Sequence, residues 1–98
     1  MAEQVYDASL IPMANSLQNL ALAASTALTV PAQATVALIT ADGSADVRWA
    51  DDGTTPTSTV GQLLKSGATM LYSNDLTALR AIRTAAGGSI AVSYYRVA

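Results

Sequence analysis

The side chains most able to do chemistry in this sequence are aspartates gathered in one short region. Four of them fall within eleven positions, with two glycines between them: Asp42, Gly43, Asp46, Asp51, Asp52 and Gly53. Carboxylates converging from two loops could hold calcium, which takes about six to eight oxygen ligands. The spacing does not match an EF-hand loop, which places a glutamate at its twelfth position. Because tight turns also require aspartate and glycine, we expect turns and no metal site, with calcium as the alternative.

The chain contains no histidine and no cysteine, which removes most enzyme chemistry. Ser-His-Asp and Cys-His nucleophiles, zinc sites of the usual kinds and disulfides are all excluded. Adjacent residues on a strand point to opposite faces, so Asp51 and Asp52 would not flank one bond as the carboxylates of a glycosidase do. The stretch that follows them has no glycine-rich phosphate loop. We therefore predict no enzymatic activity and no cofactor.

The aromatic side chains Trp49, Tyr72, Tyr94 and Tyr95 could form a platform on which sugar rings stack. The chain has no phenylalanine, however, so these residues are also the largest fillers available to a core. We expect Trp49 to lie inside the fold. Of the Tyr94-Tyr95 pair, we expect one side chain inside and the other exposed, because neighbours on a strand alternate.

The elements that position these residues read as short strands separated by turn dipeptides such as Asp42-Gly43 and Gly87-Gly88. The predicted strands are Thr26–Val30, Thr35–Ala41, Asp46–Ala50, Val60–Leu64, Ala68–Ser73, Leu79–Thr84 and Ser89–Val97. This pattern predicts an all-β fold, a small antiparallel β-sandwich or jelly-roll-like barrel. One stretch stays open, because Thr77–Ala86 also fits the 3.6-residue period of a helix.

Residues 1–19 keep no clean period and predict an extended N-terminal arm, with residues 20–98 forming the β-sandwich domain; the alternative is a short helix over Ala14–Ala24. The arm would dock on its own domain or on a neighbour. The loop Asp51–Thr59 is predicted to offer hydroxyl groups to a partner. The candidate partner-binding residues are Val5, Tyr6, Leu10, Ile11 and Met13 in the arm, and Asp51, Asp52, Thr54, Thr55, Pro56 and Thr57 in the loop.

Composition indicates a chain that depends on neighbours. Hydrophobic residues make up 51% of the 98 residues, but 20 of them are alanine, and only 12% are charged. A core this thin, without disulfides or zinc, favours packing against other chains, so we predict a homo-oligomer. Five scattered basic residues and a net charge of −2 argue against nucleic acid and anionic membranes as partners.

No transmembrane or targeting segment is expected. The 34 residues between Asp7 and Asp42 carry no charge, but polar residues and Pro31 interrupt them too often for a spanning helix. The N-terminal Met-Ala-Glu-Gln also lacks the positive region of a signal peptide.

Part of the chain, about residues 28–95, resembles a group of small proteins encoded among the virion genes of tailed bacteriophages. The residues that carry the resemblance are Val30-Pro31-Ala32, Ala37-Leu38-Ile39-Thr40, Val47-Arg48-Trp49-x-Asp51-Asp52-Gly53-Thr54-x-Pro56-Thr57, Gly61-x-Leu63-Leu64, Asp75-Leu76-x-Ala78-Leu79-Arg80-Ala81-Ile82 and Val92-Ser93-Tyr94-Tyr95. The central piece, aromatic-x-Asp-Asp-Gly-Thr-x-Pro-Thr, is the most specific of these.

The resemblance implies a structural component of a phage particle without catalysis. Small β-sandwich proteins on tailed-phage heads commonly act as cement, or decoration, proteins: trimers that clamp neighbouring major capsid subunits. On this basis we expect a homotrimer bound to the major capsid protein on the capsid exterior of a virion, made in the bacterial host cytoplasm. The alternative is a tail, baseplate or fibre-associated module that binds host-surface glycan.

Overall fold

Strands form where β-branched and large apolar residues alternate with polar ones, and they end at the predicted turns. The computed structural model describes residues 10–97. Its strands are β1 Leu10–Pro12, β2 Gln18–Ala21, β3 Thr26–Ala27, β4 Val36–Ala41, β5 Val47–Ala50, β6 Gln62–Leu64, β7 Thr69–Tyr72, β8 Arg80–Arg83 and β9 Ser89–Val97, with a single 3₁₀ turn at Leu76–Ala78. The predicted all-β fold is confirmed, and every strand pair is antiparallel.

Two antiparallel sheets make up the fold. In the first sheet the order is β1-β9-β4-β7, and β2 pairs with β9 on the same side as β1. In the second sheet the order is β3-β8-β5-β6. From β2 onward the chain crosses to the other sheet at every connection except the β5–β6 hairpin. This alternation, with β2-β9-β4-β7 facing β3-β8-β5-β6, is the strand arrangement of a jelly-roll sandwich.

The core lies between the two sheets. Residues of both sheets and of their connections belong to one cluster: Leu22, Leu28, Ala37, Ile39, Ala41, Val47, Leu64, Tyr72, Leu76, Leu79, Ala81, Ile90, Val92 and Tyr94. Ile90, Val92 and Tyr94 alternate along β9 and are all buried, as the period of two predicted. The sheets are therefore packed face to face, with their other faces outward.

The described part of the predicted extended arm, residues 10–19, includes strand residues that pair with β9 of the first sheet. Leu10 stands opposite Val97 and Pro12 opposite Tyr95, while β2 pairs with the first half of β9. The reason is the length of β9: its nine residues offer one edge on which two short strands are accommodated in succession. The boundary predicted after residue 19 falls inside β2, and the alternative helix over Ala14–Ala24 is absent.

The stretch Thr77–Ala86, for which both a strand and a helix were considered, contains the end of a 3₁₀ turn followed by the strand β8. Asp75 caps the 3₁₀ turn, because its side chain accepts a hydrogen bond from the Thr77 amide. The turn ends at Leu79, and the strand Arg80–Arg83 follows. Leu76 and Leu79 are both buried, so the helical spacing of these leucines reflects a single turn that packs on the core.

Candidate functional site

A cleft opens at the β5–β6 hairpin, at one end of the second sheet. Its volume is about 310 Å³. The lining residues are Trp49, Ala50, Asp51, Asp52, Thr54, Val60, Gly61 and Gln62. Three residues predicted for partner binding, Asp51, Asp52 and Thr54, therefore lie together in the same depression.

The hairpin loop holds its own shape through hydrogen bonds between its residues. The Asp52 Oδ1 atom accepts the Thr54 amide at 3.0 Å. The Thr57 hydroxyl accepts the Thr59 amide at 3.3 Å and the Val60 amide at 3.0 Å. Because both acceptors are used within the loop, the backbone that frames the cleft is organised before any partner arrives.

Pro56 was predicted to contact a partner, and the structure corrects this. Its side chain is fully buried, unlike those of the exposed Thr55 and Thr57 on either side. Pro56 packs next to Gly61, where an added Cβ would lie 3.3 Å from the proline Cβ and 3.0 Å from the Trp49 carbonyl oxygen. Gly61 also has a φ of +129°, which side chains disfavour. Pro56 and Gly61 thus fix the loop against β5.

Two residues that line the cleft, Trp49 and Asp51, are both in contact with the buried Tyr72 side chain. The Trp49 ring meets the Tyr72 ring edge to face, with centroids 5.8 Å apart. The Tyr72 hydroxyl donates to Asp51 Oδ2 at 2.5 Å. Burial, and next the Asp51 carboxylate, raise the pKa of Tyr72 well above its ordinary value. Tyr72 therefore stays protonated and holds Asp51 in place at the edge of the cleft.

The four aromatic residues do not form one stacking platform. Tyr72 and Tyr94 are only 5% and 1% exposed and belong to the core, as the core interpretation predicted. The Tyr94 hydroxyl donates to Gln18 Oε1 at 3.2 Å. Tyr95 is half-buried on the opposite face of β9. Only Trp49 lines the cleft, so any stacking on a ligand would involve the indole alone.

The aspartates highlighted by the sequence are engaged in separate contacts. Asp42 Oδ1 accepts the Ser89 hydroxyl at 2.7 Å, on a corner between β4 and β9. Asp46 accepts the Ser66 amide at 2.8 Å, and the Lys65 ammonium lies 3.5 Å from its other oxygen. The Ser66 amide is the main cause that lowers the pKa of Asp46. Among residues 10–97, no group of three or more acidic side chains could hold a metal ion.

The outer face of the first sheet has no charged side chain in the described part of the chain; we call it the uncharged face. The register places on it Leu10, Asn19, Ala21, Val36, Leu38, Thr40, Thr69, Leu71, Ser89, Ala91, Ser93, Tyr95 and Val97, and Leu17 directly precedes β2. Leu38 stands between Leu71 and Ser93, and the Thr40 and Thr69 hydroxyls lie 3.1 Å apart. Leu17, Leu71 and Val97 are 63%, 58% and 51% exposed.

The predicted arm anchors fall on both sides of this sheet. Leu10 pairs with Val97 and so stands on the uncharged face. Ile11 faces the other way, opposite Arg96, and Met13 packs against the core while its amide donates to the Tyr94 carbonyl oxygen at 3.0 Å. Ile11 and Met13 therefore attach the strand to its own domain, and Leu10 alone of the three faces outward. Val5 and Tyr6 lie outside the described residues.

The outer face of the second sheet carries the arginines Arg48 and Arg80, and we call it the arginine face. Its residues are Ala27, Arg48, Ala50, Leu63, Arg80 and Ile82. Arg48 lies between Leu63 and Ile82, and its Nη1 donates to the Gly61 carbonyl oxygen at 3.0 Å. Arg80 is exposed. One of the two guanidinium groups is therefore tied to the hairpin loop, while the other stands in solvent.

The chain matches no protein family, no curated protein and no solved structure. Within residues 10–97, no helix is both long enough and apolar enough to cross a membrane.

The sequence alone does not show which residues from different strands come together on the uncharged face or in the cleft. Neighbouring residues on a strand point to opposite faces, so a buried Tyr72 places Leu71 on the outer face. This alternation in β7 was the available signal for Leu71. Nothing in the sequence shows that β4 lies between β7 and β9, and this order is what places Leu38 beside Leu71. Gln62 and Val60 join the cleft only because the hairpin folds back on β5.

Proposed function

We propose that this chain is a non-enzymatic structural subunit of a tailed-phage virion, most concretely a capsid cement protein. It would form homotrimers and clamp neighbouring major capsid subunits on the capsid exterior. The observation that carries the proposal is the uncharged face, on which Leu71 and Val97 are more than half exposed, with the exposed Leu17 directly before β2. Jelly rolls occur in viral capsid proteins and also in lectins and cupins, so the fold by itself does not decide between functions.

The dimensions of the uncharged face suit a contact with another protein. Four strands spaced at about 4.8 Å and a nine-residue strand of about 30 Å give a surface on the order of 500 Å². A standard stable interface buries about 800 Å² on each partner. The face thus supplies more than half of such an interface, and the predicted anchors Val5 and Tyr6 would supply part of the remainder.

The absence of charge on this face favours burial. Desolvating a charge that has no partner is unfavourable, whereas each buried Å² of apolar surface contributes about 25 cal/mol. Asp42 lies at the rim, where its carboxylate is held by the Ser89 hydroxyl. The rim can therefore stay hydrated while leucines and Val97 pack on a neighbour, which is the usual organisation of an interface with an apolar centre.

Capsid binding tests the proposal directly. We expect the purified protein to bind expanded empty capsids of the phage that encodes it and to raise their resistance to heat or denaturant. Failure to bind such capsids, combined with retention on host polysaccharide, would replace the cement proposal with the glycan-binding tail module.

Self-association is the second measurement. Analytical ultracentrifugation of the isolated chain should give a trimer, because the proposed cement function uses a preformed clamp. A chain that remains monomeric at concentrations that saturate the capsid would contradict the trimer while leaving capsid binding in place.

Deleting residues 1–9 tests the remaining arm anchors without removing any described strand. We expect the variant to keep the β-sandwich and to bind capsids more weakly, since Val5 and Tyr6 are lost. Capsid binding equal to that of the full chain would exclude both residues as anchors.

A further inference from the structure

We infer that the cleft at the β5–β6 hairpin is a binding site for a neutral sugar. This goes beyond the proposed cement function, because the cleft lies at the end of the second sheet and includes no residue of the uncharged face. The two sites can therefore succeed or fail independently.

The apolar part of the lining matches one face of a sugar ring. Trp49 lines the cleft from β5, and Val60, which is 48% exposed, lines it from the loop between β5 and β6. The C–H groups of a pyranose pack on an aromatic face in the same way as other apolar groups. The Tyr72 ring packs against the indole in a T-shaped arrangement, with ring centroids 5.8 Å apart, which restricts rotation of the Trp49 side chain.

The polar part of the lining matches hydroxyl groups, which both donate and accept hydrogen bonds. Asp51 receives the Tyr72 hydroxyl on Oδ2, and in the described part of the chain no protein group donates to its Oδ1. Gln62 is exposed and adds a carboxamide, which supplies a donor and an acceptor side by side. Thr54 adds a hydroxyl, which also interacts with the neighbouring Asp52 carboxylate and lowers its pKa.

This combination selects against other ligand classes. Two carboxylates repel anions such as phosphate or a carboxylated sugar. A cationic side chain would use the carboxylates and the indole but would leave the Gln62 carbonyl and amide without a specific role. A volume of about 310 Å³ is at the lower end for ligand pockets, about 300 to 1,000 Å³, which suits a short ligand.

The single tryptophan of the chain supplies the readout, because Trp49 lies in the cleft. Neutral hexoses and N-acetylhexosamines are titrated into the full chain while the Trp49 fluorescence and the indole and Gln62 side-chain amide NMR signals are followed. We expect at least one sugar to shift all three signals with a common saturable curve. Argininamide and lysinamide, titrated in parallel as cationic ligands, should give no such curve.

Two neighbouring threonines provide a matched pair of variants. Thr54 lines the cleft, whereas Thr55 is exposed outside it. We expect Thr54→Ala to weaken sugar binding about fivefold and Thr55→Ala to leave it unchanged, because a lost hydrogen bond is worth about 1 kcal/mol. Gln62→Leu, on an exposed position that the fold tolerates, should weaken binding to a similar degree.

The proposal is overturned if no sugar of the panel shifts the Trp49 signals, or if arginine or lysine amide produces the saturable curve instead. Equal weakening by Thr54→Ala and Thr55→Ala would also overturn it, since binding would then not involve the cleft. None of these results bears on capsid binding through the uncharged face.

Discussion

The two outer faces of this sandwich contrast sharply, although the two inner faces share one apolar core. The first sheet turns leucines, threonines and serines outward, with Leu38 and Leu71 side by side. The second sheet turns Arg48 and Arg80 outward between Leu63, Ile82 and small residues. A sandwich needs only one apolar face on each sheet, so the arginine face is what a solvated sheet ordinarily presents. The uncharged face therefore calls for a separate explanation.

The two sheets also differ in the kind of residue whose pKa value is shifted. The tyrosines with raised pKa values, Tyr72 and Tyr94, lie on strands of the first sheet and point into the core. The aspartates with lowered pKa values, Asp46, Asp52 and Asp75, lie on connections next to strands of the second sheet. The raised pKa values thus belong to tyrosines on the core side of the first sheet, and the lowered ones to aspartates in connections beside the second sheet.

The largest effect, a loss of capsid binding and self-association, is expected when a carboxylate is placed on the uncharged face. The same change on the arginine face is the matched control. Leu71 is 58% exposed on the edge strand of the first sheet, and Leu63 is 44% exposed on the edge strand of the second. We expect Leu71→Asp to weaken capsid binding and self-association about 30-fold or more, as at an interface hot spot worth about 2 kcal/mol. Leu63→Asp should bind normally, and the measurement is sedimentation with empty capsids.

Both variants replace an exposed leucine on an edge strand, so they should remain folded to the same degree by circular dichroism. Equal loss of binding in the two variants would show that exposure in general, and not the uncharged face, governs association. Loss in Leu63→Asp alone would move the interface to the arginine face.

Much of this architecture was predictable because it depends on local alternation. Ser89–Val97 was predicted with the bounds that β9 has, and Ile90, Val92 and Tyr94 share a buried face there. The pairing of the N-terminal segment with β9 was not predicted, because Leu10–Pro12 is too short to show a period and its partner β9 lies at the other end of the described chain. Partners that lie far apart in sequence leave no local signal.

The candidate surfaces were less predictable for the same reason. Asp51, Asp52 and Thr54 follow one another and were identified correctly as neighbours in a loop, and they line the cleft. Pro56 was misplaced, because a proline within a run of threonines suggests an exposed turn while its burial depends on Gly61 across the hairpin. Composition indicated a surface low in charge but not which face would lack it.

The second expected effect is loss of stability in alkali, which should begin at the first sheet. Burial raises the pKa of Tyr94 from 10.0 to about 12. A group whose pKa is raised on folding contributes fully below its unfolded pKa, and the contribution is lost as pH rises through the folded pKa. Stability should therefore fall between about pH 10 and 12, measured by urea unfolding. Tyr94→Phe should lessen this fall; an unchanged alkaline profile would exclude Tyr94 as its cause.

A third, smaller effect distinguishes the two arginines of the arginine face. Arg48 is half-buried and its guanidinium holds the Gly61 carbonyl oxygen, whereas Arg80 is exposed. We expect Arg48→Met to lower the free energy of unfolding by about 1 kcal/mol, since that bond is only partly shielded from solvent. Arg80→Met should change it by less than about 0.5 kcal/mol. The reverse order in chemical denaturation would contradict the assigned role of Arg48.

A fourth effect is local and appears in acid. The Ser66 amide lowers the pKa of Asp46, whereas for Asp52 and Asp75 the hydroxyl of Thr54 or Thr77 is the main cause and the amide of the same threonine the next; all three pKa values lie below 3.8. Groups with lowered pKa values stabilise the fold above the unfolded pKa, and the contribution is lost as pH falls through the folded pKa. Below about pH 4, hydrogen exchange of those three amides should increase before that of β9 amides. Earlier exchange in β9 would reverse the assignment.

The smallest effect is expected from changing the salt concentration. A self-association constant that hardly changes with salt is the result that supports the uncharged face. An interface made by the uncharged face has no ion pairs for salt to screen, apart from its rim. Raising ionic strength from about 0.05 to 0.5 M, which shortens the screening length about threefold, should therefore leave the self-association constant within about twofold. If Arg48 and Arg80 met carboxylates of a neighbour instead, association would weaken steadily over this range. A steep salt dependence would thus assign the contact to the arginine face even if Leu71→Asp also weakened it.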